Sequence, residues 1–504
     1  MTTEQSGSVD QPNLGRRMAK GAAWMVMLRF AVRSIGLINT FILARLLLPE
    51  DFGLVALAMV TITLLDTFSE FGFEMALIRD QKATRAHYDT AWTVAVIKGL
   101  LVAGLLFAAA EPIAGFFNEP RLADVVRALC VIPLVEGFKN IGVVNFAKNL
   151  NFRKEFQLRI LRKISAVCVV IPLAIIWRDY WALVVGMISG RCVELVLSYV
   201  MSTYRPRPSL VEWHSLFNFG KWLLLRNVVT VVGSRLDRIL LGKFLDVKTV
   251  GLYNVSFEIS NLATTELIWP ISRALFPGYS KIADDRERLG KAYLTALSLM
   301  LMLAAPVAVG IAVAAEQIII VMMTEKWLEA VPFITILAMH GVLRMGTSNV
   351  PAVLLALNRP HLLTYLAFFH HATRIPLLFG GVIYFGAFGV VWAMVIGAGI
   401  ALIAYVGTVL RLLRVSVFAV FVAVWRPLVA LGVMAATVMA VDAEWAATSS
   451  TWMIAAELLA MVAVGVVTYV GVILALWRLS GAPDGAEQQI LSVLRARIAK
   501  PQAA

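Results

Sequence analysis

The chain is short of charge, of cysteine and of polar stretches long enough to fold alone, and each shortage removes a class of protein. Only 15% of its 504 residues are charged, where soluble domains carry about 25%. With 60% hydrophobic residues and a mean hydropathy of +0.80, the composition excludes a soluble fold. The three cysteines, Cys130, Cys168 and Cys192, fall in apolar runs and form no CxxC pair. A disulfide framework and a thiolate metal site are therefore not expected. No GxxxxGK[ST], HExxH or GxSxG motif occurs, so phosphate-loop ATP hydrolysis, zinc proteolysis and nucleophile-elbow chemistry have no signature here. The six histidines are scattered without metal-ligand spacing. No catalytic residue, metal or cofactor is expected, which argues against an enzyme. No extramembrane segment approaches the roughly 40 residues of a small autonomous domain. Function must lie among membrane helices.

What the chain does have is one apolar run after another. A span needs roughly 20 apolar residues. Such runs fall near 22–44, 52–78, 88–110, 122–147, 159–177, 181–201, 217–241, 250–276, 290–314, 331–357, 362–385, 388–410, 427–442 and 452–477. They predict an all-α polytopic membrane protein of about fourteen transmembrane helices. Residues 1–20 are polar and the next apolar run is too long for a signal h-region, so the first span is expected to target the chain uncleaved.

The net charge of +13 has a simpler source than nucleic acid, because Lys and Arg collect in cytoplasmic loops. With the N-terminus inside, cytoplasmic segments hold Arg16, Arg17 and Lys20, then Arg79, Lys82 and Arg85, then "KNLNFRKEFQLRILRK", then Arg205, Arg207, Arg411 and Arg414. The opposite loops, "EPIAGFFNEPR", "WRDYW", "YFGAFG" and "DAEWAATSST", are poorer in base. Both termini are expected in the cytoplasm. Residues 411–426 are expected to lie partly in the interface as an amphipathic segment.

An internal repeat divides the chain. "ARLLLPEDFGLV" (44–55) matches "GKFLDVKTVGLY" (242–253), with Gly53 over Gly251 at an offset of 198. At that offset Trp24 meets Trp222, Arg45 meets Lys243, and Ala76-Leu77 meets Ala274-Leu275. The matched units are the first and seventh spans with their successors. Two pseudo-symmetric six-helix lobes follow, 1–213 and 214–413, with appended helices in 414–479 and a cytoplasmic tail in 480–504. Both lobes start on the same side, so the repeat is parallel, about an axis along the membrane normal.

The first span carries Arg29 and Arg33, four residues apart and on one helical face. A charge near the middle of a span costs about 2.5–3.5 kcal/mol on insertion scales, so each needs a reason. One is pairing with Asp66, Glu70 or Glu74 of the second span. The other is a cationic wall facing a water-filled cavity. Further cations lie at depth: Lys98, Lys139, Arg191, Arg226, Arg235, Arg273, Arg344 and Arg374. Lys139 and Arg191 have Glu136 and Glu194 three residues away, which points to intrahelical neutralisation. Arg235 and Arg238 flank Asp237 near a helix end, where a rim position is expected. Arg344 and Arg374 have no acid within a turn and are the stronger anion-binding candidates. His340 precedes Arg344 by four residues, and His370 and His371 precede Arg374. The expected substrate-binding set is Arg29, Arg33, Lys98, Arg344 and Arg374. Glu70, Glu74, His340 and His370 are candidates for ion coupling. Proline at 133, 172, 270, 306, 351 and 376 leaves tolerated kinks and functional hinges both open.

Several separated segments carry a family resemblance: "ILARLLLPEDFGLVALA", "FEMALIRDQ", "NFAKNLNFRKEF", "LDRILLGKFLDVKTVGLYNVSFEI" and "ISRALFPGYSKI". Over about residues 14–415 the chain resembles the polysaccharide transporters of the multidrug/oligosaccharidyl-lipid/polysaccharide exporter superfamily. Within it the chain is most similar to the Wzx-type flippases, including the colanic acid exporter type. The resemblance implies two six-helix bundles facing each other in a V. It implies movement of undecaprenyl-pyrophosphate-linked oligosaccharide across a bacterial inner membrane, for lipopolysaccharide, capsule or exopolysaccharide synthesis. The implied partners are that lipid-linked substrate, the bilayer, and a polysaccharide polymerase with its assembly machinery, and no nucleic acid. A cationic path suits a pyrophosphate, since guanidinium binds phosphate through bidentate hydrogen bonds. Three alternatives stay open: a drug/cation antiporter of the same superfamily, a membrane polysaccharide polymerase or ligase, and a transport-inactive assembly scaffold.

Overall fold

The computed structural model describes residues 11–68, 72–214, 231, 233–445, 450–483 and 485–498. All regular structure among them is helical. The chain forms two compact units, Met1–Gly251 and Leu252–Ala504.

In the first unit, α1 (Gln11–Leu46) and α2 (Pro49–Phe68) meet at a two-residue break. Pro49 opens α2 with its φ already helical, and Asp51 Oδ2 accepts from Leu48 N–H at 2.8 Å. The expected second span, 52–78, is in fact broken. Gly72 takes a left-handed φ of 64° and α3 (Phe73–Arg79) starts anew. Next come α4 (Arg85–Phe117), then the short α5 (Arg121–Leu129), α6 (Val131–Gly137) and α7 (Val144–Lys148), then α8 (Phe152–Trp177) and α9 (Trp181–Met201). The expected fourth span is thus segmented, with a bend of 63°.

Asn140 makes that bend tolerable. It is fully buried, where each unpaired polar group would cost several kcal/mol. Its side-chain oxygen accepts from Gly142 N–H (2.9 Å), its amide donates to the Tyr204 carbonyl (2.7 Å), and its backbone N–H donates to Ser198 Oγ (3.0 Å). Residues 202–213 are lashed to the start of α4. Asp89 accepts from the Tyr204 hydroxyl (2.5 Å) and from Arg207 N–H (2.8 Å). Thr93 accepts from Ser209 N–H (2.8 Å) and Thr90 from Glu212 N–H (3.2 Å).

The sequence repeat has a direct structural counterpart. A Cβ added to Gly53 would lie 1.8 Å from the Val247 carbonyl oxygen, and one added to Gly251 would lie 1.8 Å from that of Pro49. Pro49 and Val247 are themselves 198 positions apart, so the contact is reciprocal under the repeat. Only glycine allows two backbones this close.

The second unit contains α10 (Val247–Ser260, which begins in the first unit), α11 (Leu262–Ser280), α12 (Arg286–Val313), α13 (Ala315–Met322), α14 (Val331–Ser348) and α15 (Val350–Ala356). It continues with α16 (Pro360–Leu413), α17 (Val417–Trp445), α18 (Thr451–Leu479) and α19 (Ala486–Ile498). Two expected spans, 362–385 and 388–410, run together in α16 but are separated by Gly386, at φ 59° and ψ −137°. The chain folds back there, bringing Gly381 and Gly389 backbone to backbone. Of the segment 411–426, residues 417–426 form the first turns of α17. Their apolar side chains extend the helix surface, and Val420 and Val424 pack on the core. Helices α17 and α18 pack together and on α12, with the Tyr469 hydroxyl donating to the Met302 carbonyl at 3.0 Å. Among the described residues nine helices are long and apolar enough to cross a membrane, or ten if the bent segment in the first unit is one span.

Candidate functional site

Each unit gathers charged groups, in opposite styles. The first unit pairs them. Lys98 on α4 meets Asp66 on α2 at 2.7 Å, and Lys139 meets Glu74 on α3 at 3.3 Å. Arg191 on α9 meets Glu136 on α6 at 2.6 Å and Glu194 at 3.3 Å, and Glu194 also takes Arg162 of α8 at 3.1 Å. The intrahelical neutralisation expected for Lys139 does not form. Helix α6 ends at Gly137, so Lys139 leaves the face of Glu136 and each reaches a different helix. For Arg191 the intrahelical pair exists beside a shorter interhelical one. Arg162, which the sequence places in a basic loop cluster, is a partner in this network.

Arg29 and Arg33 are half-buried on α1, and both are engaged in interactions within the chain. Glu70 lies outside the described residues, as do Arg226 and the side chain of Arg273. Glu74 is exposed. Asp237 and Arg238, where a rim position is expected, are 1% and 6% exposed. They are neighbours at 3.7 Å within a packed helix. Lys98 also borders a cavity of about 470 Å³ lined by Val94, Ile97, Leu101, Leu210, Trp213 and His214.

Outside the spans, the Arg121 guanidinium hydrogen-bonded to Glu119 (2.7 Å) holds that carboxyl below its ordinary range. Burial, followed by the hydrogen bond to Asp89, pushes the Tyr204 hydroxyl well up, so it remains a donor.

The second unit concentrates positive charge. His340 and Arg344 lie one turn apart on α14, and His370 and Arg374 lie one turn apart on the first limb of α16; these helices pack together. His340 is in the field of Arg344, Arg374 and His370. It is buried, its ring centroid is 6.3 Å from that of Phe257, and its Nδ1 has no hydrogen-bond partner among the described residues. The rings of His370 and His371 are 5.5 Å apart. Arg374 is 9% exposed, and its Nη2 donates to Met394 Sδ at 2.9 Å. Its stem packs on Gly397 across the α16 hairpin. Arg344 is exposed and makes no ion pair among the described residues. Two guanidinium groups and two imidazoles converge on apolar helices. The arrangement suits an anion with several oxygen acceptors. No cluster of three or more His, Cys, Asp or Glu poised for a metal occurs among the described residues.

Comparison with known proteins places these features in a family. The chain is 25% identical over 390 residues to the lipopolysaccharide biosynthesis protein WzxC of Escherichia coli (strain K12), covering 75% of this chain and 78% of that one. It is 23% identical over 340 residues to the succinoglycan biosynthesis transport protein ExoT of Rhizobium meliloti (strain 1021), covering 67% and 69%. Its fold matches that of the lipid II flippase MurJ in an inward closed conformation, with a TM-score of 0.71 at 14% identity over 90% of this chain and 98% of that one. The model of one family, described as polysaccharide biosynthesis protein, matches residues 42–332. That match takes in the first unit from the end of α1 onward, the repeated glycine motif and the start of the second unit, and the chain belongs to the polysaccharide biosynthesis protein family.

Proposed function

We propose that the chain moves lipid-linked oligosaccharide repeat units across the cytoplasmic membrane, with the anionic headgroup passing through a protein-lined path and the polyprenyl tail staying in lipid. Its relatives are named as polysaccharide biosynthesis and transport proteins, which favours transport over catalysis. The observation that carries the reading is the Arg344–Arg374–His340–His370 cluster on packed apolar helices. Charge of one sign in a membrane helix bundle marks a polar cargo path, and guanidinium selects phosphate by geometry as well as by charge. An antiporter of cationic drugs would want the opposite sign at this place. The lobes are proposed as 1–213 and 214–413, working by alternating access, with 414–479 appended and both termini cytoplasmic. Coupling is proposed to run through a gradient read by His340, His370 or the carboxylates of the first unit, and product passes to a polymerase on the far side.

Deletion of the gene should leave lipid-linked repeat units on the cytoplasmic leaflet. Restoring the chain should clear them, and Arg374→Ala should not, although it inserts at normal levels. Accumulation of single units on the outer leaflet instead would assign the polymerase role and end the flippase reading.

A further inference from the structure

Helix α19 is fixed to the rest of the second unit by a charged contact at depth. Arg426 Nη1 of α17 and Glu487 Oε1 of α19 meet at 2.9 Å, and the two residues are 8% and 4% exposed. Ala486, next to the acid, is buried in the core that α12, α17 and α18 share, and Ile490, one turn on, packs against it. Gln488, Gln489 and Ser492 face outward. The link from α18 turns sharply. Gly481 and Ala482 take left-handed φ of 81° and 49°, a region that alanine seldom adopts, and Trp477 Nε1 donates to the Pro483 carbonyl at 3.1 Å. Helix α19 thereby borders an apolar cavity of about 620 Å³ within the second unit. Pro306, Met434 and Met461 lie along this cavity, and α19 contributes Glu487, Ile490 and Leu491 to its wall.

Charge is an unusual way to hold a helix on an apolar core. Two well-packed apolar side chains would hold it at least as firmly, because desolvation offsets most of a buried pair's attraction. The pair is also incomplete. Arg426 Nε and Nη1 and both Glu487 carboxylate oxygens are buried and make no hydrogen bond among the described residues. The charges attract, but donors and acceptors that water would satisfy go unmet. Undocking reverses both terms. Arg426 stands in the third turn of α17, near the helix end, where a long cationic side chain reaches water. Glu487 leaves with α19 and is hydrated too. An apolar clasp has no such solvated open state.

We propose that α19 is a hinged cap on this cavity, latched by the Arg426–Glu487 pair and released at the turn that follows α18. Docked, it closes the end of the cavity beside that turn; released, it opens that end to water. The device controls access to the apolar interior of the second unit. It stands apart from the transport reading, because it shares no residue with the cationic cluster.

Cysteine labelling of the full chain in nanodiscs tests it, with Cys130, Cys168 and Cys192 replaced by serine. Met461→Cys, at a position 1% exposed on the cavity wall, reports opening through its rate of reaction with a water-soluble maleimide. The rate should be low with the pair intact. Arg426→Glu and Glu487→Arg should each raise it about tenfold or more, since each sets like charges together. The exchanged pair Arg426→Glu/Glu487→Arg should bring it back down. Arg426→Gln/Glu487→Gln buries no charge, should also label fast, and decides the matter if the single variants fold poorly. Val353→Cys, buried in a separate part of the core, should stay slow throughout, which distinguishes undocking from unfolding. Slow labelling at Met461→Cys in the charge-free variant would overturn the proposal. Fast labelling in the exchanged pair would overturn it too, by showing that the two charges do not act on each other. So would a parallel rise at Val353→Cys in the charge-free variant, which would make the pair a part of the fold and not a latch.

Discussion

Adding one methyl group at Gly53 tests the repeat contact at its tightest point. In Gly53→Ala the new Cβ would lie 1.8 Å from the Val247 carbonyl oxygen and 2.8 Å from its carbon. Contacts under 3.0 Å essentially do not occur for a real Cβ, so the backbones must part by about 1.2 Å. The obstacle is backbone, which has no rotamer to change. Overpacking of this kind costs about 1–3 kcal/mol. Alanine recovers up to about 1 kcal/mol through its better helix propensity. A net loss of about 1–2 kcal/mol is therefore expected. It lowers the thermal midpoint by about 2–4 °C per kcal/mol for a unit of this size. Gly251→Ala should cost the same, because its methyl meets Pro49 with the same geometry. The double variant should cost less than the sum, since one separation relieves both clashes. Thermal unfolding in detergent, followed by tryptophan fluorescence, reads all three. Unchanged or raised midpoints in the single variants would refute the close approach. Strict additivity would refute the claim that both glycines serve one crossing.

Three further outcomes are expected. Arg33→Ala should abolish export with normal insertion if Arg33 faces the cargo, and Arg33→Lys should rescue it only in part; normal export by Arg33→Gln/Glu70→Gln would instead make the stripe on α1 structural. Asn140→Ala removes two side-chain hydrogen bonds and leaves their partners unpaired; it should cost about 2–4 kcal/mol, seen as a lower midpoint and as proteolysis near the bend. The Tyr204 hydroxyl titrates higher folded than unfolded, so its contribution is complete below the ordinary tyrosine value of about 10 and declines above it. An alkaline stability scan should show a fall in the wild type that Tyr204→Phe lacks.

Hydropathy placed α9, α12 and α18 within a few residues, because long apolar runs in lipid have no choice but helix; α4 runs two turns beyond its expected end, to Phe117. The 198-residue offset paired Gly53 with Gly251 in sequence, but that their backbones meet came only from the fold. The fourth span was misread for the converse reason. Its break depends on Asn140 finding Ser198 and Tyr204, partners about sixty positions away, and no local pattern encodes that. Charged residues were recognised as exceptional, but their pairing was not legible. Lys139 sits three residues from Glu136 in sequence and pairs with Glu74 in space, because unwinding after Gly137 changes the face it occupies. In the second unit, residues spaced by four on two helices were read as candidates one helix at a time; that α14 and α16 pack together came only from the fold.

The lashing of residues 202–213 to α4 bears on how the molecule can be cut and rejoined. Connecting segments at membrane surfaces are the usual places to insert an epitope, open a circular permutant or divide a gene in two. Here the backbone N–H groups of Arg207, Ser209 and Glu212 are all committed to α4. Arg205 and Arg207 are each followed by proline, which leaves trypsin no ready bond between them. A tag placed after Arg207 would therefore unpick the whole seam instead of riding on it, and co-expressed fragments divided there should fail to reassemble.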